Sequence, residues 1–285
     1  MKIKGSTKIT GLIGYPVEHT LSPAMHNAAF ARLGLDFVYV PFSVTPSLLG
    51  DAVGSLKALN VRGFNVTIPH KENVIRYLDA IVSDAKLTGA VNTVHNAGGK
   101  LTGYNTDTQG FILSLTRDAR VNVEGKRVLL VGAGGIGRAI GIKLASMGIK
   151  RLVITDEKIN KARILVDSIK KKAKNIDIRP VRSAAEEDVR ESDILINATP
   201  VGMKKGEPCV ISPRWLHSSL FVFDVVYNRK TELLKEAERR GLKVMGGLGM
   251  LVYQGALSFE IWTGEKAPLE TMKKAVESIM KGKGD

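Results

Sequence analysis

A lysine, a carboxylate and a set of amide and hydroxyl side chains are the parts of this sequence best suited to chemistry. Residues 63–79 read GFNVTIPHKENVIRYLD. Phe64, Val66 and Ile68 alternate with Asn65 and Thr67, the period of a β-strand. Pro69 follows, and Val74, Ile75 and Leu78 recur at helical spacing. A helix is therefore expected from Pro69, with Lys71 in its first turn. A cation is poorly placed at that end, because the helix dipole makes it positive. Beside two polar side chains leaving a strand, such a lysine suits a proton donor to a developing alkoxide. The five histidines (His19, His26, His70, His95 and His217) fall singly in different segments, and His70 reads as a solvated surface residue. The stretch TGYNTDTQG offers Asp107 just ahead of another helix. Near the lysine it would hold the ammonium in place; taken alone, a helix cap is its plainer reading.

A second motif explains why a proton donor is needed. VLLVGAGGIGRA places Gly132, Gly134 and Gly137 in G-x-G-x-x-G spacing, after an apolar run and ahead of an amphipathic helix. That context fits a dinucleotide-binding turn made of Gly132, Ala133, Gly134, Gly135, Ile136 and Gly137. The first glycine permits the tight turn and the second lets the backbone approach a pyrophosphate, which the helix N-terminus stabilises. The third allows close packing of helix on strand. A dinucleotide implies hydride transfer, and a carbonyl that gains a hydride also needs a proton. Asp156 lies roughly 20 residues beyond the last glycine, where a carboxylate accepts from the ribose hydroxyls of NAD and would repel a 2′-phosphate. Its alternative reading is a cap of the next helix. Lys158, Lys161 and Arg163 would offer a phosphate some positive charge.

These motifs need a scaffold, and the surrounding sequence supplies one. KITGLIGYP and FVYVPFSV read as strands, and SPAMHNAAFARLG and PSLLGDAVGSLKALN as helices, the first with Ser22 as cap and Gly34 as stop. GAVNTVHNAGGKLTGYNTD reads as two short strands around an Asn-Ala-Gly-Gly turn. Such alternation implies an α/β layer with a mostly parallel sheet. A second unit begins near Lys126. Its strands are KRVLLV, KRLVITD, IDIRP, DILINAT and SLFVFDVVY, with a helix over 157–174. From GLGMLVYQGALSFEIWTG onward the chain reads as two helices without a strand. Two helices do not make a stable domain alone, so they are expected to pack back on the first unit.

Composition narrows the field further. The chain has 285 residues, 44% of them apolar and 25% charged, ordinary values for globular domains. A single cysteine, Cys209, excludes an internal disulfide and a multi-cysteine metal site, and no metal is expected. Lys and Arg outnumber Asp and Glu by 42 to 28, a net charge of +14. These positives are scattered over helical faces without interleaved aromatics, which are 6% of the chain. Neither nucleic acid nor a membrane is expected as a partner, and the location read from the sequence is cytoplasmic.

The chain resembles the shikimate dehydrogenase family along nearly its whole length. The resemblance rests on LSPAMHN near the start, NVTIPHK at 65–71, GAVNT at 89–93, GYNTD at 103–107 and GAGGIGRA. It continues with INATPVGM at 196–203, DVVYN at 224–228 and GLGMLVYQGALSFEIWTG at 247–264. It implies an α/β substrate domain, discontinuous over 1–106 and 248–285, and a Rossmann-type dinucleotide-binding domain over 107–247. The active site is expected in the cleft between them. Lys71 and Asp107 match the family's catalytic pair. Thr20 and Ser22 of TLSP match the hydroxyls that bind a substrate carboxylate, with Thr20 where serine is usual. Asn65, Thr67, Asn92, Asp107 and Gln254 are expected to hold ring hydroxyls, and Tyr227 to lie close to the ring. Thr199, Val225 and Gly247 join the glycine turn and Asp156 as expected cofactor contacts. Arg229 stands where proline is common, with only a surface consequence expected.

The implied activity is reversible NAD(P)H-dependent reduction of 3-dehydroshikimate to shikimate, a step of aromatic amino acid and chorismate biosynthesis. NADP is the family norm. Its members that use NADP typically carry Asn-Arg-Thr where this chain has Asp156, Glu157 and Lys158, so NAD is expected to serve at least as well. One alternative is a dual quinate/shikimate dehydrogenase using NAD. A non-catalytic binding protein on the same fold is disfavoured because Lys71 and Asp107 are both present. A homodimer is compatible with the resemblance.

Overall fold

The structure is a computed structural model that describes residues 2–173 and 176–282. It divides into two compact units, residues 1–110 with 252–285 and residues 111–251. The boundaries expected at 106/107 and 247/248 lie a few residues upstream of these divisions.

In the first unit, β1 (Lys8–Gly14), α1 (Ser22–Arg32), β2 (Phe37–Ser43), α2 (Leu49–Ala58) and β3 (Gly63–Val66) come first. Then follow β4 (Ala80–Ile81), α3 (Ser83–Thr88), β5 (Thr93–Ala97), β6 (Lys100–Tyr104) and α4 (Thr106–Leu113), whose last turn belongs to the second unit. The six-stranded sheet runs β2-β1-β3-β5-β6-β4. β1 is parallel to β2 and β3, whereas β3–β5 and β5–β6 are antiparallel, so the sheet is more mixed than the alternation of elements implied. The hairpin at Ala97–Lys100 is the cause: a short turn joins neighbouring strands only in antiparallel sense. Ile13, Val53, Phe64, Val66 and Leu101 meet in the core.

The second unit is regular. β7 (Arg127–Val131), α5 (Gly135–Ala145), β8 (Arg151–Thr155), α6 (Ile159–Lys170) and β9 (Asp177–Val181) lead into α7 (Glu186–Arg190) and β10 (Ile194–Asn197). β11 (Phe221–Asp224), α8 (Glu232–Arg239) and β12 (Val244–Met245) complete it. The sheet order is β12-β11-β10-β7-β8-β9, every pair parallel. RVLLV, ILIN and FVFD are buried almost throughout, as expected of parallel strands covered on both faces. α6 buries Ala162, Leu165, Val166 and Ile169 at helical spacing. The end expected for this helix, at 174, lies outside the described residues.

Two helices finish the chain, α9 (Leu248–Thr263) and α10 (Leu269–Gly282). From Val252 they belong to the first unit, as their missing sheet partner required. α10 packs along α1. From α9, Trp262 donates to the Val94 carbonyl at 2.9 Å, and Phe259 stacks on Phe30 with centroids 5.1 Å apart.

Three local expectations need correction. His70 is not a solvated surface residue: it is fully buried, with its Nε2 2.6 Å from the Val44 carbonyl oxygen. Ser22 is the first residue of α1, not its cap; Leu21 holds the cap position, and the Ser22 N–H donates to Thr20 Oγ1 at 3.3 Å. No α-helix starts at Pro69. A short 3₁₀ helix occupies Asn73–Tyr77, and Lys71 precedes it in a turn. The Lys71 carbonyl accepts from the Val91 N–H at 2.8 Å. That long-range bond takes the acceptor a continuing helix would have used.

Candidate active site

In the first unit, the loops that follow β1 and β3 lie together. The Tyr15 N–H donates to the Ile68 carbonyl at 2.9 Å, and a Cβ on Gly14 would meet Thr67 Cγ2 at 2.3 Å. This brings the Thr20–Ser22 segment and Thr67 onto neighbouring loops at one end of the sheet. Ser22 is buried and Thr20 half-buried.

Lys71 Nζ donates to Asp107 Oδ2 at 2.7 Å, with side-chain exposures of 14% and 10%. An ion pair so shielded is attracted more strongly than one on the surface. Asp107 sits in the first turn of α4 but does not cap it. Asn105 Oδ1 accepts the Thr108 N–H at 3.3 Å, and Asn92 Oδ1 accepts the Thr106 N–H at 2.7 Å. With capping supplied by two amides, the carboxylate is left to the lysine.

Beside this pair lies a polar network. Asn92 Nδ2 donates to Thr106 Oγ1 at 2.9 Å and to Gln254 Oε1 of α9 at 3.3 Å. Asn65 Nδ2 points at the Asn92 carbonyl (3.1 Å), Thr93 Oγ1 (3.1 Å) and Ser258 Oγ (3.0 Å), while Asn65 Oδ1 accepts the Tyr39 hydroxyl at 2.8 Å. Asn65 thus departs from the expectation of a ring-hydroxyl contact. It is 5% exposed, and both amide hydrogens are directed at protein acceptors. Tyr39, Thr93, Thr106 and Ser258 were not singled out in the sequence. Only the phase of Ser258, one helical turn after Gln254, carries a sequence signal.

The second unit holds the glycine turn. Gly132 has φ of 101°, and a Cβ there would meet Thr199 Cγ2 at 2.8 Å. A Cβ on Gly137 would lie 1.9 Å from the Gly132 carbonyl oxygen. Packing within the protein therefore demands these two glycines. Gly134 and Gly135 differ, because a Cβ on either meets nothing within 4 Å. Gly134 caps α5, whose first N–H groups, at Gly135, Ile136 and Gly137, lack intrahelical acceptors. Open space above unpaired donors fits a pyrophosphate.

Asp156 works on this turn. Its Oδ2 accepts the Ala133 N–H and its Oδ1 the Lys158 N–H, each at 2.9 Å. Asp156 is not the cap of α6, whose cap position is Lys158 without a side-chain bond; it braces the segment ahead of that helix and stands beside the turn. Lys158, Lys161 and Arg163 are exposed.

Asn197 Oδ1 accepts both the N–H (3.0 Å) and the hydroxyl (2.7 Å) of Thr199. Asn197 Nδ2 donates to Asp224 Oδ1 at 3.0 Å, and Asp224 also accepts from Thr231 Oγ1 at 2.7 Å and from the Val226 N–H at 3.0 Å. Burial pushes the Asp224 carboxyl up from its ordinary range. Burial likewise raises the Tyr227 phenol. Val225 donates to the Asn197 carbonyl at 3.0 Å, and a Cβ on Gly247 would lie 2.1 Å from the Val225 oxygen. Thr199, Val225 and Gly247 are therefore joined by short contacts at the ends of β10 and β11.

Among the described residues, no group of three or more His, Cys, Asp or Glu is arranged to hold a metal ion. None of their helices is long and apolar enough to cross a membrane.

Comparison with known proteins bears on both units. Residues 12–94 match the model of the shikimate dehydrogenase substrate binding domain, 114–229 that of shikimate / quinate 5-dehydrogenase, and 247–277 that of the shikimate 5′-dehydrogenase C-terminal domain. A shikimate dehydrogenase (NADP(+)) of Methanopyrus kandleri is 45% identical over 282 residues, covering 97% of each chain. A shikimate dehydrogenase solved in complex with NADP+ superposes with a TM-score of 0.91 at 41% identity, covering 98% of each chain. A Listeria monocytogenes shikimate 5-dehydrogenase, in complex with shikimate and NAD, gives a TM-score of 0.87 at 42% identity, with 96% of this chain and 98% of that one covered. With a lysine–aspartate pair in one unit and a dinucleotide-type glycine turn in the other, the chain belongs to the shikimate dehydrogenase family, oxidoreductases acting on a CH–OH group.

Proposed function

We propose that this chain interconverts 3-dehydroshikimate and shikimate with a nicotinamide dinucleotide, Lys71 and Asp107 forming the catalytic pair. The observation that carries this reading is the shielded 2.7 Å contact between Lys71 Nζ and Asp107 Oδ2 beside the Asn92–Gln254 amides. The Gly132–Gly137 turn would hold the pyrophosphate of a dinucleotide, whose nicotinamide would supply the hydride in one direction and accept it in the other. Lys71 gives a proton to the substrate oxygen as the carbonyl is reduced and takes it back from the alcohol in reverse. Asp107 holds the ammonium in place and offers its other oxygen to a ring hydroxyl. Thr67, Asn92 and Gln254 bind the remaining hydroxyls, and the hydroxyls of Thr20 and Ser22 bind the carboxylate. Tyr227, whose phenol burial pushes up from its ordinary value, is the remaining candidate for the ring. Asn65 supports this set from behind.

The cofactor site takes Thr199, Val225 and Gly247 along with the turn. Asp156 favours NAD, because a carboxylate accepts from a free 2′-hydroxyl and repels a 2′-phosphate. NAD then serves at least as well as NADP. The test is a spectrophotometric assay with shikimate and with quinate, each against both cofactors. Shikimate turnover that Lys71→Ala lowers by roughly 10²–10⁴-fold supports the reading; absence of turnover with shikimate overturns it. Preferential oxidation of quinate would move the assignment to the dual enzyme. Preference for NADP above about tenfold, ~1.4 kcal/mol, would remove Asp156 as the selector.

A further inference from the structure

The motif LSPAMHN carries two residues, His26 and Asn27, that the proposed reaction does not use, and both act on the same neighbour. Asn27 pairs with the Tyr39 backbone in both directions: its Nδ2 donates to the Tyr39 carbonyl at 3.0 Å, and its Oδ1 accepts the Tyr39 N–H at 2.8 Å. The His26 ring stacks on the Tyr39 ring, centroids 4.4 Å apart and planes 10° from parallel. Trp262 of α9 also packs against the histidine, centroids 5.3 Å apart and planes tilted by 46°. Neither His26 nitrogen has a hydrogen-bond partner, and the ring is fully buried. This histidine works by its flat face alone.

Tyr39 is thereby fixed in backbone and ring, and its hydroxyl donates to Asn65 Oδ1, 2.8 Å away. The Asn92 carbonyl, which can only accept, fixes the sense of the Asn65 amide: the nitrogen faces it and the hydroxyls of Thr93 and Ser258, and the oxygen is left to be anchored by the Tyr39 hydroxyl. Reversed, the amide would set its oxygen against the Asn92 carbonyl, two acceptors with no proton between them. The Asn92 backbone and the α9 residue one turn from Gln254 are thus held by one amide whose far end Tyr39 anchors.

The geometry points to Tyr39 as a positioning residue for substrate binding, acting through Asn65 on Asn92 and Gln254, with His26 and Asn27 as its clamp. The inference rests on the proposed reading of Asn92 and Gln254 as ring-hydroxyl ligands. Tyr39→Phe keeps the ring and the stack and removes only the hydroxyl. The expected result is a rise of about 2- to 12-fold in KM for shikimate, the worth of one hydrogen bond. KM for the dinucleotide should stay unchanged, and kcat should fall less than KM rises. In the background of Asn65→Ala, Tyr39→Phe should add nothing to KM, because its route of action is gone. Ser258→Ala, which removes a different partner of the same amide, should shift KM in the same direction and serves if Tyr39→Phe does not fold. A lower Tm with KM for shikimate unchanged in these variants would overturn the inference and leave Tyr39 a core residue only. Full additivity of Tyr39→Phe with Asn65→Ala would also overturn it. If the unaltered protein does not turn over shikimate, the proposed function fails instead, and the two failures are told apart by that first assay.

Discussion

Asn92 and Ala133 stand at the working ends of their sheets and are held in opposite ways. Asn92 is tied by its side chain, whose amide reaches Thr106 and Gln254 while its oxygen takes the Thr106 N–H. Ala133 is tied by its backbone, whose N–H donates to Asp156. The contrast extends to the two units. The first gathers side chains from β2, β3, β5, α4 and α9 into a mutually bonded polar set. In the second, a backbone turn and two glycines excluded from any other residue by packing do the equivalent work. A site built of side chains is sensitive to the removal of a single functional group. A site built of backbone is sensitive to the addition of a single carbon.

The sharpest break in this comparison is at Lys71. Lys71→Ala should lower kcat by roughly 10²–10⁴-fold, the usual range for loss of a general acid–base. Dinucleotide affinity, measured by fluorescence titration, should be unaltered. Parallel loss of cofactor binding would show that the two sites are not separable.

Acid should act with opposite sign on two buried groups, His26 of the first unit and Asp224 of the second. The His26 pKa is lowered to about 3 by burial. Between pH 6.5 and that value the unfolded chain binds a proton that the folded chain refuses, so stability falls as pH falls through this window. Asp224 is raised by burial. It keeps its proton to higher pH in the folded state, so its contribution is fullest at low pH and is lost as pH rises through its folded value. His26→Phe preserves an aromatic face and sacrifices no hydrogen bond. It should therefore cut the loss of stability between pH 6.5 and 4.5 by about 2 kcal/mol. Denaturant melts of both proteins at the two pH values measure this, and identical pH slopes would place the acid-sensitive group elsewhere.

Gly137 and Gly134 separate packing from binding within the second unit. Gly137→Ala drives a carbon against the Gly132 carbonyl and should cost about 1–3 kcal/mol of stability. Gly134→Ala meets no protein atom within 4 Å. It should leave Tm close to the parent's while raising KM for the dinucleotide about tenfold, ~1.4 kcal/mol. The smallest effect is expected at Asp156. Asp156→Asn keeps an acceptor for the Ala133 N–H and removes the charge, so the ratio of kcat/KM values should move toward NADP by less than about tenfold.

Sequence alone made the second unit's elements largely legible, because RVLLV, RLVIT, ILIN and FVFD are apolar runs followed by turns, and their burial follows from composition. β12, with two residues, is too short to show a period. In the first unit, the 3₁₀ turn after Lys71 could not be seen because what prevents a helix is Val91, distant in sequence. Lys71 and Asp107 were legible as chemical types, but the contact joining them was legible only through motifs. Tyr39 had no such motif. It lay inside a strand with the expected pattern, and nothing local distinguishes a tyrosine that anchors an amide from one that fills a core.

Synthesis of the chain on the ribosome gives the discontinuity of the first unit a further meaning. Residues 1–110 emerge early, but their partner residues from Val252 onward emerge only after all of 111–251. The bond between Trp262 and Val94 spans 168 positions of sequence. Until α9 emerges, the faces of His26, Phe30 and Gly63 that Trp262 and Phe259 cover stay open to solvent. The second unit, continuous and rich in neighbouring parallel strands, has every residue it needs once Leu251 has emerged, just ahead of the residues that complete the first. The nascent protein should therefore complete its dinucleotide-type unit just before its lysine–aspartate unit can close, with the early segment exposed to aggregation and chaperone capture while residues 111–251 are made.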